Sequence, residues 1–193
     1  MLRTARLVLR PWRDEDLDPF AAMSADPEVT RHLLPLNRTG ATAWIERQRA
    51  HEREHGFCFW AVEIPGVLPL AGAVGLYTVA PPMPFAPAVE IGWRLAREAW
   101  GKGYAEEAAR ASLDFGFARG IPEVVAFTRP TNTRSWRLME RLGMTRDLAD
   151  DFEHPRLPPG DPMRPHILYR LSSLRWQTGH SPSAAGANPS AGA

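Results

Sequence analysis

Two short stretches of this sequence hold residue types at spacings that can do chemistry. Residues 51 to 55 read HEREH, the H-E-x-x-H pattern that sets two zinc ligands, His51 and His55, and a catalytic glutamate, Glu52, on one helical turn. The second stretch is Trp100-Gly101-Lys102-Gly103-Tyr104-Ala105, which follows a strand-like run and opens a helical one. Free backbone N–H groups at a helix start form an anion site, and glycines let the chain approach a phosphate with no Cβ in the way. Lys102, the only lysine of the chain, adds a mobile positive charge there. The stretch is neither a P-loop, because G-x-x-x-x-G-K-[ST] is absent, nor a G-x-G-x-x-G turn, because Glu106 stands where the third glycine belongs.

The zinc pattern lacks support from its surroundings. WIERQRAHEREHG is mostly charged, and the residue six beyond His55, where a third ligand would stand, is Ala61. Arginine and glutamate at helical intervals are what a solvated amphipathic helix uses for side-chain pairing. Composition narrows the rest. A chain of 193 residues with 44% apolar content can bury one sizeable core, so residues 1–176 are expected to form a single domain. From Gln177 to Ala193 the composition is mostly Ser, Ala, Gly, Pro and Asn, which suits a disordered tail. The net charge of +1 is spread along the chain, so neither a nucleic acid nor a membrane is an expected partner. No apolar run approaches the roughly 20 residues of a transmembrane helix, and MLRTARLVLRPW lacks the features of a signal peptide, so a cytoplasmic location is expected. Cys58, the single cysteine, sits in the apolar run FCFWAVEI and is expected to be a buried, inert thiol.

The elements that must position the glycine turn follow from pattern. ARLVLRPW, FCFWAVEI, LAGAVGLYTVA, PAVEIGWRLA, EVVAFTRP and HILYRLSSL have strand character. Helices are expected through DEDLDPFAAMSA with Asp14 as cap, through TGATAWIERQRAHEREHG to Gly56, through YAEEAARASLDFGFARG, and through TRSWRLMERLG to Gly143. MTRDLADDFEHPRLPPGDPMRP reads as a strand followed by a proline-rich excursion. The order is a mixed α/β (α+β) pattern with a strand meander in its middle, unlike the regular alternation of a doubly wound fold.

WGKGYAEEA, with VEIGWRLA before it and NTRSWRLMERLGM after it, resembles the acetyl-CoA-binding core of the GNAT superfamily of N-acetyltransferases, and within it the RimJ/RimL-like branch. Trp100 departs from the first polar position of the general [QR]-x-x-G-x-[GA] signature but is usual in that branch. The resemblance implies a central, mostly antiparallel twisted sheet flanked by helices, with splayed strands binding the cofactor. It implies acetyl-CoA as acyl donor and no metal, with the pyrophosphate on the amides from Gly101 to Ala105. The pantetheine arm would pair with the preceding strand at Trp93, Arg94 and Leu95.

Acetyl transfer to an amine needs a neutral nitrogen, a stabilised oxyanion and a protonated leaving thiol. Glu90 is the candidate base, on the strand leading into the turn, with a solvated strand glutamate as the plain alternative. Ser135 is the candidate acid for the thiolate, because Met139 occupies the position where a tyrosine often stands in the superfamily; its alternative is helix capping beside Thr133. Asn132 would hold the cofactor or the strand end, and Arg134 and Arg137 are within reach of phosphates. His32, Trp44, Tyr77 and His154 are candidates for the acceptor pocket, and His154 and His166 flank the proline-rich loop. The expected partners are acetyl-CoA and an amine-bearing acceptor, either a peptide N-terminus or a small molecule, on a monomer or homodimer. A non-catalytic coenzyme A-binding module and a zinc hydrolase remain as other function classes.

Overall fold

The branched and aromatic runs pair into one sheet in the computed structural model, which describes residues 1–179. Its strands are β1 (Leu2–Arg3), β2 (Val8–Arg10), β3 (Phe59–Ile64), β4 (Leu68–Val79), β5 (Ala88–Leu95), β6 (Glu123–Thr128), β7 (Thr145–Arg146), β8 (Phe152–Glu153) and β9 (Pro165–Ser172). The helices are α1 (Leu17–Ala25), α2 (Arg38–His55), α3 (Tyr104–Ala118), α4 (Thr133–Arg141) and α5 (Ser173–Gly179). The strand order is β1-β2-β3-β4-β5-β6-β9-β7, with β8 pairing β9. Every neighbour is antiparallel except β5 and β6, which run parallel because α3 crosses over between them. No helix of the described residues is long and apolar enough to cross a membrane.

Strand alternation divides the core between the two faces. Trp60, Val62, Val74, Leu76, Ile91 and Val124 meet α3 and α4 through Ala108, Leu113, Leu138 and Met139. Ala61 and Ala73 face the other way, where Trp12 and the helices α1 and α2 contribute Phe20, Met23, Ala41 and Ile45. Each large side chain buried in this way contributes about 1.5–3 kcal/mol. Close packing also holds α3 on the sheet near its C-terminal end. A Cβ on Gly116 would lie 2.7 Å from Leu76 Cδ1, so the helix sits tight on β4 there.

Several expectations shift at the element ends. The strand expected through ARLVLRPW shortens to β2, and β1 precedes that run. The helix expected from Asp14 begins at Leu17 after a tight turn; Asp16 accepts the Arg13 N–H at 2.8 Å, while the Asp14 carboxylate instead accepts from Arg49 of α2 at 2.7 Å. Asn37 and the left-handed Gly56 cap α2. The last strand ends at Ser172 and a helix follows. Trp176, 4% exposed and hydrogen-bonded through Nε1 to Asp114 Oδ1 at 2.8 Å, provides the burial that holds it. Gln177, Thr178 and Gly179 therefore belong to α5 rather than to the expected tail, whose remainder, 180–193, lies outside the described residues.

One buried ion pair sets the position of α1 on the sheet. Arg10, 2% exposed on β2, donates two parallel bonds to Asp16 at 2.7 and 2.8 Å, one to Glu63 Oε2 at 2.7 Å and one to the Pro69 carbonyl at 2.8 Å. A buried charge so fully partnered is costly to leave alone. Asp16→Ala should lower the unfolding free energy in urea by about 3 kcal/mol. Arg13→Ala, which removes exposed contacts to Glu15 and Glu63, should cost less than about 1 kcal/mol. Equal losses would show that burial of the Arg10 pair is unimportant.

Candidate active site

β5 pairs with β4 along its whole length, from Ala88 opposite Val79 to Leu95 opposite Gly72, but with β6 only at Glu90 opposite Val125. Beyond that pair the two parallel strands part. β6 remains fully paired with β9 on its other side, so the edges from Ile91 on β5 and from Ala126 on β6 face each other across an open wedge. Backbone N–H and C=O groups on such edges need partners, and an extended ligand bearing amides can supply them. Trp93, Arg94 and Leu95 lie on this edge, though the Leu95 carbonyl already accepts from Trp100 Nε1 at 2.8 Å. The Arg94 side chain turns away beneath α1, where it donates to Ser24 Oγ at 3.1 Å and lies 5.9 Å from the Phe20 ring centre. Burial without a carboxylate pushes its pKa down to about 10.

The wedge opens toward the glycine turn. Gly101 and Gly103 have φ of +72° and +81°, the left-handed region that strains any L side chain, and Gly103 occupies the N-cap of α3. The first α3 amide to close a bond is that of Glu107, onto the Gly103 carbonyl at 3.0 Å. The amides of Gly101 to Glu106, Tyr104 and Ala105 included, find no acceptor among the described residues. They add to the positive end of the helix dipole. The exposed Lys102 side chain and the Arg134 guanidinium, 4.8 Å over the Trp100 ring, place two cations beside them. Arg137 instead lies 5.5 Å over Trp136.

Arg6, which sequence reasoning missed, holds the turn in place. Its Nη1 donates to the Lys102 carbonyl at 2.9 Å, its Nε to Glu107 at 2.7 Å, and its guanidinium sits 4.6 Å over the Tyr104 ring. Thr4 adds a 2.6 Å bond to the same carboxylate. The partners are 96 to 103 positions apart, and no local pattern announces such a clamp. Glu106 receives bonds from Arg110 and from Arg141 of α4, tying the second helix at this site to the first.

The two candidate proton-transfer groups flank the wedge from opposite faces. Glu90 belongs to the α1–α2 face, opposite Tyr77 in the register, with no hydrogen bond or ion pair among the described residues. Burial raises its pKa to about 7, against the opposing pull of Arg156. Ser135 lies in the first turn of α4, whose Leu138 and Met139 pack on the other face; its hydroxyl has no partner among the described residues. Asn132 donates to Thr128 Oγ1 at 2.9 Å and so ties the helix to the end of β6. Met139, 1% exposed, offers no proton.

HEREH takes up structural work instead. Thr78 N–H donates to His51 Nε2 at 3.1 Å, and His51 Nδ1 donates to the Phe57 carbonyl at 2.7 Å, which fixes a neutral imidazole with its proton on Nδ1. Glu52 accepts from Trp60 Nε1 at 3.0 Å. A metal at His51 would have to displace one of these bonds, so the motif does not fit a zinc site. Cys58 is fully buried, and desolvation raises its thiol pKa far out of the reactive range. Trp44 stacks 4.6 Å from Phe20 in the α1–α2 core, and Tyr77 stacks 3.9 Å from His51. His154 and His166 lie 5.0 Å apart on the Glu90 face, within a group of phenylalanines that the sequence did not single out. His32 Nδ1 is buried without a partner among the described residues.

The raised Glu90 pKa is measurable without any substrate. Below about pH 4.5 the carboxyl is neutral folded or unfolded; between 4.5 and 7 the folded state alone keeps the proton, so this contribution to stability is lost as pH rises through that window. Glu90→Gln should therefore match the wild type near pH 4 and exceed it by about 3 kcal/mol in urea unfolding near pH 8. A pH-independent difference would refute a desolvated, unpaired carboxylate at this half-buried position.

A family model described as an acetyltransferase (GNAT) domain matches residues 6–145. The chain is 34% identical over 146 residues to YkkB of Bacillus subtilis, covering 74% of this chain and 84% of that protein. An acetyltransferase structure from Agrobacterium tumefaciens superimposes with a TM-score of 0.71 at 28% identity, over 88% of this chain and 92% of that one. The spermidine N-acetyltransferase of Vibrio cholerae, solved in complex with CoA and spermine, has the same fold, with a TM-score of 0.70 at 16% identity over 90% and 99% of the two chains. With the parted strands and the glycine turn in the order this family requires, the chain belongs to the GNAT family of acetyltransferases.

Proposed function

We propose that the chain transfers an acetyl group from acetyl-CoA directly to a primary amine within a ternary complex. The observation that carries this reading is the parting of β5 from β6 beside a helix start whose amides have no acceptor among the described residues. In this reading the amides of Gly101 to Ala105 hold the pyrophosphate, aided by Lys102 and Arg134. The β5 edge from Trp93 to Leu95 pairs with the pantetheine arm. The Vibrio relative in fold, whose complex contains CoA, supports that assignment by analogy.

The amine enters from the α1–α2 face. Glu90 accepts its proton, directly or through water, as the nitrogen forms its bond to the thioester carbonyl carbon and the C–S bond breaks. Ser135 donates a hydrogen bond to the departing sulfur from the other face. A thiol with a pKa of about 8.5 is a modest leaving group, so a hydroxyl suffices there. A carboxylate with a pKa near 7 suits this work at neutral pH. An α-amine is already roughly a tenth neutral at pH 7, whereas a lysine amine is neutral in only a few molecules per ten thousand. The site therefore suits α-amines, as the resemblance to the RimJ/RimL-like branch also suggests, whether on a peptide N-terminus or on a small molecule.

Release of free thiol from acetyl-CoA in the presence of amines tests the reading. The kcat should rise with pH through about 7 as Glu90 loses its proton. Glu90→Gln should lower kcat/KM roughly 100-fold and abolish that rise, and Ser135→Ala should lower kcat about tenfold with little change in KM for acetyl-CoA. Binding of acetyl-CoA with no turnover on any amine would instead identify a coenzyme A-binding module.

A further inference from the structure

Two residues beyond Val125, roughly 7 Å along the strand, β6 carries Phe127 on the same face as Glu90. Four more rings gather there from segments far apart in sequence. Phe85 comes from the loop between β4 and β5, Phe152 from β8, His154 from the residue after that strand, and His166 from the start of β9. Phe127 lies 5.4 Å from Phe85, 5.8 Å from Phe152 and 6.0 Å from His166. All five rings are only partly buried, so the group is a wall and not a core. Burial and nearby arginines hold both imidazoles below the ordinary histidine pKa, which leaves the wall uncharged at pH 7.

The charge around the wall is one-sided. Arg156 acts on Glu90, Tyr77 and His154, Arg47 of α2 on Tyr77, and Arg129 on His32 and His166. The exposed Arg47 and Arg156 have no carboxylate partner among the described residues, and Arg129 donates only to the Pro162 carbonyl, at 3.0 Å. Arg94, on the same face, has a serine hydroxyl in place of a carboxylate. The acidic groups nearby are Glu90 itself and Glu153, which is paired with Arg164 at 3.2 Å. Unpaired guanidinium groups beside an apolar wall are the chemistry that recognises a carboxylate or phosphate on a hydrophobic molecule.

We infer that the acceptor is a primary amine carrying an anionic group and an aromatic or other large apolar body. Arg156 and Arg47 hold the anion, Phe127 and Phe152 line the body, and the nitrogen reaches Glu90. This rests on the acetyltransferase reading above and adds the substrate class to it. A polyamine is the wrong guest: the weak attraction of a cation for ring faces is outweighed by repulsion from the surrounding arginines.

Matched amines separate the two requirements. Thiol release would be followed with phenylalanine, with phenethylamine, which lacks only the carboxylate, with alanine, which lacks the ring, and with spermidine. Phe-Asp and Phe-Lys dipeptide amides distinguish a free amino acid from an acidic N-terminus as the source of the anion. Phenylalanine or the acidic dipeptide should show a KM about tenfold or more below those of phenethylamine, alanine and spermidine. The double variant Arg47→Glu, Arg156→Glu should bring the phenylalanine-to-phenethylamine ratio to about one while acetyl-CoA still binds, which shows that the fold persists. The inference is overturned if phenethylamine or spermidine is used as well as the anionic amines, if the charge reversals leave the ratio unmoved, or if no anionic amine reacts in a protein that binds acetyl-CoA. A folded wild type that does not bind acetyl-CoA would remove the acetyltransferase reading itself, and this inference with it.

Discussion

The single register pair between Glu90 and Val125 is the constraint on which the site depends. On one side of it an antiparallel meander carries the chain from β1 to β5; on the other, β6 is committed to β9. The parallel crossover through α3 brings these two blocks together and leaves them joined at one point. Past that point neither strand can satisfy its facing backbone groups from within the sheet, and an unpaired buried amide costs about as much as a lost hydrogen bond. The fold thereby creates a need that an extended amide-bearing ligand can meet, at the level of Glu90 and next to the start of α3.

The surroundings hold that geometry from both ends. The Arg6 clamp on the Lys102 carbonyl and Glu107 joins the N-terminal segment to the glycine turn, and Glu106 joins α3 to α4 through Arg141. The Arg10–Asp16 pair settles α1, beneath which Arg94 reaches Ser24. Opposite electrostatic tasks are kept apart by the sheet. Oriented amides and two cations stand at the start of α3, while a carboxylate with a raised pKa stands on the α1–α2 face; in the proposed reading the first holds the phosphates and the second takes the proton of the amine.

Much of this was legible in the sequence because its signals are local. The meander, the glycine turn, α3 with its glutamates at the start, Asn132 and Ser135 after β6, and the Gly56 stop of α2 all follow from period and capping chemistry within a window of a few residues. What escaped is long-range. Arg6 and Glu107 are 101 positions apart, and the rings of Phe85, Phe127, Phe152 and His166 converge only when the strands are laid side by side. HEREH shows the converse hazard. Its spacing meets the zinc pattern, but His51 had already been claimed by the amide of Thr78, a partner 27 residues away that no local motif could reveal.

The central claim, that the glycine turn beside the wedge holds the phosphates of acetyl-CoA, is tested most directly by calorimetric titration of acetyl-CoA into the wild type and into Gly103→Glu. That substitution forces a side chain onto a φ of +81° and sets a negative charge among the free amides. The account predicts one molecule bound per wild-type chain and an affinity at least about 100-fold weaker in the variant, with the variant still folded by circular dichroism. A folded wild type that does not bind, or a variant that binds equally well, would contradict it.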